Sequence, residues 1–97
     1  MKVYEVTEIY RVMGNEDEYS VALCSTLGKA QETARDAALS TCYDINKSYE
    51  EGYGAYRAEW SASPAYGAAA TYVLNPMDED VEVEEEHIFV ISERELI

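Results

Sequence analysis

The chain opens in alternation. Between Val3 and Met13 the even positions Tyr4, Val6, Tyr10 and Val12 are apolar and Glu5, Thr7 and Arg11 intervene, which is the period of a half-buried strand. Glu8 and Ile9 fall out of phase and predict a bulge or an end-of-sheet twist there. Gly14 to Glu18 reads as a turn, since glycine and asparagine accept unusual backbone angles. Tyr19 to Cys24 resumes the alternation with Tyr19, Val21 and Leu23 on one side. Two antiparallel strands are expected.

From Ala30 the period changes. Ala30, Ala34, Ala37, Ala38, Cys42, Ile45 and Tyr49 step by three, four and one, tracing a single helical face. Ser25 or Thr26 supplies a hydroxyl cap and Gly52 a stop. Because alanine dominates the first half of that face, the helix can lie close against a sheet. Tyr53 to Trp60 predicts a short strand, Ser61 to Gly67 a loop, and Ala69 to Leu74 a strand ended by Asn75-Pro76. Val81 to Glu84 alternates weakly and reads as an exposed edge extending it. His87 to Ser92 is apolar on both faces at its centre, so it belongs in the middle of the sheet. The expected fold is a single α+β domain over residues 1–97 with two layers. A mainly antiparallel sheet of four or five strands carries one long helix packed across it, in the order β-β-α-β-β-β, with an acidic loop or edge segment at 76–86.

Composition supports folding. The chain is 47 % hydrophobic, too apolar for a disordered acidic tail. No apolar run approaches the roughly 20 residues that span a bilayer, and Met1 to Glu5 leads straight into a strand pattern without a signal-peptide core. A cytoplasmic location is expected. Cys24 and Cys42 lack a CxxC partner or a nearby histidine, so they read as buried thiols rather than a disulfide.

Charge changes the picture more. Asp and Glu number 20 against 7 Lys and Arg, a net charge of −13. Solubility needs only roughly 2–8 charges on a small domain, and the excess costs self-repulsion. Such an excess points to a basic partner, above all a surface that ordinarily holds nucleic acid. The scattered basic residues form no stripe, which argues against direct binding of nucleic acid or of an anionic membrane.

Catalytic chemistry finds no set of residues. His87 is the single histidine, it enters an apolar strand directly after three glutamates, and no spacing singles out a nucleophile beside it. Gly28-Lys29 lacks both the earlier glycine and the following hydroxyl of a phosphate loop. Asp78-x-Asp80-x-Glu82 mimics the opening of a calcium loop. However, Val83 stands where the turn glycine belongs, and Phe89 where the bidentate glutamate belongs. One histidine and two distant cysteines argue against zinc. No enzyme, cofactor or metal is expected.

Binding residues remain. Asp78, Glu79, Asp80, Glu82, Glu84, Glu85 and Glu86 make seven carboxylates in nine residues. In a strand, alternate residues recur about every 6.6 Å, so Asp80, Glu82 and Glu84 would form a row opposite Val81 and Val83. On the helix, Glu32 and Asp36 lie one turn apart, about 6 Å, with Asp44 two turns beyond. Glu16 to Glu18, Glu50 and Glu51 extend the candidate surface. The alternative use of such a run is to protect an exposed sheet edge. Tyr53, Tyr56 and Trp60 belong to an aromatic-rich segment, 49–72, of the kind that anchors protein interfaces.

On the short single domain, the lack of a catalytic set and the Asp78 to Glu86 run, the chain resembles the small acidic proteins that phages direct against bacterial defence, including anti-CRISPR proteins that mimic DNA. The hairpin leading into Ser25-Thr26-Leu27-Gly28-Lys29-Ala30 is also similar to a strand–strand–helix opening found in small phage and bacterial proteins. The resemblance implies a stoichiometric inhibitor in the host cytoplasm that blocks the DNA site of a basic defence protein, such as a CRISPR surveillance complex. Two other readings stand beside it, a general interaction module built on 49–72 and an acidic halophile domain. Oligomeric state is left open.

Overall fold

A computed structural model describes residues 1–12, 14–52, 57–62, 67–74 and 83–96, with only the backbone of 49–52, 74, 83 and 84. The elements are β1 (Lys2–Val12), β2 (Asn15–Cys24), α1 (Leu27–Gly52), β3 (Arg57–Ser61), β4 (Ala69–Leu74) and β5 (Val83–Glu95). All strand pairs are antiparallel in one sheet ordered β2-β1-β5-β4-β3. The α+β, two-layer reading and its element order hold.

The helix begins where its cap directs. The Lys29 amide donates to Thr26 Oγ1 at 3.1 Å, and the Ala30 amide donates to the Thr26 carbonyl at 3.1 Å. Ala30, Ala34 and Ala38 are fully buried and pack with Val6, Cys24, Ala69 and Phe89. Further along, Cys42 groups with Ala58 of β3 and Val73 of β4. The helix therefore runs obliquely, from above β1 and β2 at its start to above β3 and β4 at its end. Small side chains make the close approach possible; Thr71 of β4 is buried beneath it and donates its hydroxyl to the Ala38 carbonyl. Asn46 fastens the far end by bonding both the amide and the carbonyl of Ala58.

β5 is central, as its apolar middle predicted. Ile88 and Phe89 point to opposite faces and are both buried. The strand is also longer than the pattern showed. Val83 and Glu84 belong to it, so they are not an exposed edge continuing β4; residues 75–82 lie outside the described residues. The hairpin differs too. Val12 pairs with Asn15, so the connection is residues 13–14, with Gly14 at φ 82°, a value that favours glycine. Glu16, Asp17 and Glu18 are strand residues, not turn residues. Glu8 stays in phase, and the bulge falls in β2, where Val21 is the extra residue between the Val6–Ala22 and Thr7–Ser20 pairs. That bulge undoes the expected common side of Tyr19 and Leu23. Tyr19 pairs with Glu8, whose face carries the helix, and Leu23 pairs with Glu5 on the other face.

Both cysteines are buried free thiols. Burial raises the Cys42 thiol above its ordinary 9.0, with Glu59 adding to the effect. Burial likewise raises the Tyr72 hydroxyl above 10.0, with Glu86 adding. In both groups the folded chain holds a proton that the unfolded chain has released. Their contribution to stability is full below the unfolded values and is lost as pH rises through the folded ones. The urea midpoint should fall as pH rises past about 9 and further past about 10, and Cys42→Ala should flatten the earlier part of that fall; an identical slope in the variant would place its origin elsewhere. Separately, Thr26→Ala should cost about 1 kcal/mol in urea unfolding through loss of the cap, and Thr26→Ser should retain most of it.

Candidate interaction site at the acidic end of the sheet

The strand order brings two acidic stretches together. β1 lies between β2 and β5, so the start of β2 and the start of β5 flank the end of β1. Three cross-strand rows result: Asn15–Val12–Glu85, Glu16–Arg11–Glu86 and Asp17–Tyr10–His87. Neighbouring strands lie about 4.8 Å apart, which places the Glu16 and Glu86 backbones about 10 Å from each other across Arg11. Glu18 follows one residue on.

At this end each face of the sheet holds a basic side chain between two carboxylates. On the face away from the helix, Arg11 Nε meets Glu16 Oε2 at 3.3 Å and Arg11 Nη1 meets Glu86 Oε2 at 3.8 Å. On the helix-bearing face, His87 Nδ1 lies 2.7 Å from Glu8 Oε1 and His87 Nε2 lies 2.9 Å from Glu85 Oε2. The Tyr10 hydroxyl donates to Glu85 Oε1 at 2.6 Å, and its ring centroid is 4.7 Å from that of His87. By this point α1 has crossed toward β3 and β4. A polar cluster thus occupies the part of this face that the helix does not reach, which explains why Glu8 can hold an inward position on β1.

Both imidazole nitrogens lie within hydrogen-bond distance of carboxylate oxygens. Among the described residues no three His, Cys, Asp or Glu side chains converge on a metal position.

Of the acidic run, Asp78, Glu79, Asp80 and Glu82 lie outside the described residues, and Glu84 is placed only as a strand position. Glu85 and Glu86 fall on opposite faces, Glu85 beside His87 and Glu86 beside Arg11. Glu32, Asp36 and Asp44 are exposed on α1, where Lys29, Arg35 and Lys47 match them in number. Glu32 and Asp36 belong to the half of α1 packed with Cys24, whereas Asp44 follows Cys42, which packs on Val73, the β4 neighbour of Glu85. The hairpin acids join the acidic end. A cleft of about 590 Å³ lined by α1 and by Ala62, Gly67 and Ala68 takes in Gln31, Glu32 and Arg35, without a reactive set. Tyr53 and Tyr56 lie outside the described residues. Trp60 is exposed on β3, pairing with Thr71 on the helix-bearing face, whereas Tyr72 pairs with Glu59 on the other. These two aromatics therefore do not share a face.

Sequence reasoning passed over Glu8, Tyr10 and His87 as a group. A signal was present: Glu8 occupies the even, apolar phase of β1, and an acid there calls for an internal partner. The chain matches no protein-family model, no curated protein and no solved structure. The functional argument rests on its own residues.

Removing the histidine should expose the cluster's energetics. The His87 and Glu8 side chains are only 13 % and 23 % accessible, so His87→Phe leaves two partly buried carboxylates without their donor. We expect a loss of about 1–3 kcal/mol by urea unfolding. Adding Glu8→Gln to that variant should recover part of the loss, and a purely additive second loss would contradict the coupling.

Proposed function

We propose that the protein is a stoichiometric inhibitor that presents carboxylates to a basic, nucleic-acid-binding surface of a bacterial defence protein. The convergence of Glu16, Asp17 and Glu18 with Glu85 and Glu86 carries this reading, and in sequence the 78–82 acids directly precede β5. Arg11 and His87 organise that end without neutralising it, since each is shared between two acids. Scale supports it as well. The longest dimension is 50 Å, over which one nucleic-acid strand carries about 15 phosphates at its roughly 3.4 Å spacing. The protein's net charge is −13, a comparable density. Carboxylates so displayed attract the lysines and arginines that otherwise release counterions from a phosphate backbone, and complementary charge also speeds encounter. The exposed Trp60 favours a second reading, an interaction module on the aromatic segment. Such a module would bind with little dependence on salt.

The test uses immobilised protein and bacterial lysate, with elution by salt and by duplex DNA. Captured DNA-binding proteins are then purified and assayed for DNA binding with this protein as competitor. Asp17→Asn, Glu18→Gln, Asp80→Asn and Glu82→Gln together remove four exposed-type ion pairs worth about 1–4 kcal/mol in all, or roughly five- to several-hundred-fold in affinity. Competition should weaken by that amount and lose part of its salt dependence. Undiminished competition by the quadruple variant would sink the proposal, and loss only on Trp60→Ala would favour the module.

A further inference from the structure

β2 is the longer of the two edge strands. It has 10 residues where β3 has 5, and among the described residues no strand pairs with its outer side. Half of it is guarded. Glu16, Asp17 and Glu18 put charge along the edge, which is how proteins discourage unwanted strand pairing. The other half is not. From Tyr19 through Leu27 there is no charged residue, and Tyr19, Val21, Leu23 and Leu27 are 53 %, 40 %, 65 % and 46 % accessible. The bulge at Val21 has already turned Tyr19 and Leu23 toward different faces, so apolar side chains flank the open backbone on both sides. Exposed large hydrophobics beside unpaired strand amides and carbonyls suit strand addition, in which backbone bonds give affinity and alternate side chains give selectivity.

Charge selects the occupant. If a second copy paired antiparallel through β2 about Tyr19 and Ser20, Glu16 to Glu18 would lie against the partner's Val21 to Leu23, setting carboxylates on apolar side chains with no cation opposite. Two chains of charge −13 would also repel. We propose that β2 accepts an extended segment of a basic partner protein, added as a sixth strand. Its lysines or arginines lie along Glu16, Asp17 and Glu18 on both faces, and its apolar residues lie along Tyr19, Val21 and Leu23. This deepens the inhibitor reading and rests on it, naming a flexible basic segment of the target, rather than its folded surface alone, as what the protein holds.

The probe is a synthetic ten-residue peptide with alternating Lys and Ser in one half and alternating Val and Thr in the other. Its controls are the same peptide with backbone N-methylation at alternate residues and a peptide of uniformly spaced lysines. Binding is followed by amide NMR shifts and by hydrogen exchange of β2. We expect the parent peptide to perturb and protect β2 residues 16–23. N-methylation should weaken it by roughly tenfold or more, as lost backbone bonds require, and Val21→Lys with Leu23→Lys should do the same while the chain still melts cooperatively. If all three peptides bind alike and shift only the acidic end, charge recognition stands and strand addition is overturned. If none binds while the lysate competition succeeds, strand addition alone fails. A dimer in sedimentation that Leu23→Lys dissociates would give the edge to a second copy and overturn the proposal.

Discussion

β5 begins in the most acidic stretch of the chain and continues into its most buried one, and β1 has to pair with both. Beside Phe89 the pairing is supported by ordinary apolar packing against Val6, Ile91 and the alanine face of α1. Beside Glu85 and Glu86 it would set acids against acids unless basic side chains intervened. Arg11 and His87 do so on opposite faces of adjacent rows, each joined to two carboxylates. Tyr10 donates to Glu85 from a residue 75 positions away. The pairing holds because charge and shape are satisfied together.

Glu16 to Glu18, Glu85 and Glu86, the described carboxylates of the acidic end, all stand on strands, with Arg11 and His87 between them. The helix covers one face of the sheet through small residues that permit close approach.

An open edge next to the acidic end gives that charge a direction. β2 carries carboxylates in its first half and bare apolar side chains in its second, so a partner that follows its backbone meets both in order. Aromatic residues that looked like one surface in the sequence separate once the strands are paired, because Trp60 and Tyr72 fall on different sides of the sheet.

Local periodicity determined the elements and much of the core. The alanine face of α1, its Thr26 cap, the span of β4 and the burial of Ile88 and Phe89 all follow from spacing over a few residues, because helix and strand impose repeats that short. The excess of acid was equally plain. The fate of Glu8, the strand character of Glu16 to Glu18, the split of Tyr19 from Leu23 and the inclusion of Val83 and Glu84 in the central strand were not. Each depends on which strand lies beside which, and on a single extra residue at Val21 that inverts the facing of what precedes it. Sequence alone set how much negative charge the protein carries; tertiary structure decided where it gathers, since only long-range pairing through β1 could bring the two ends of the chain's acidity to one end of the sheet.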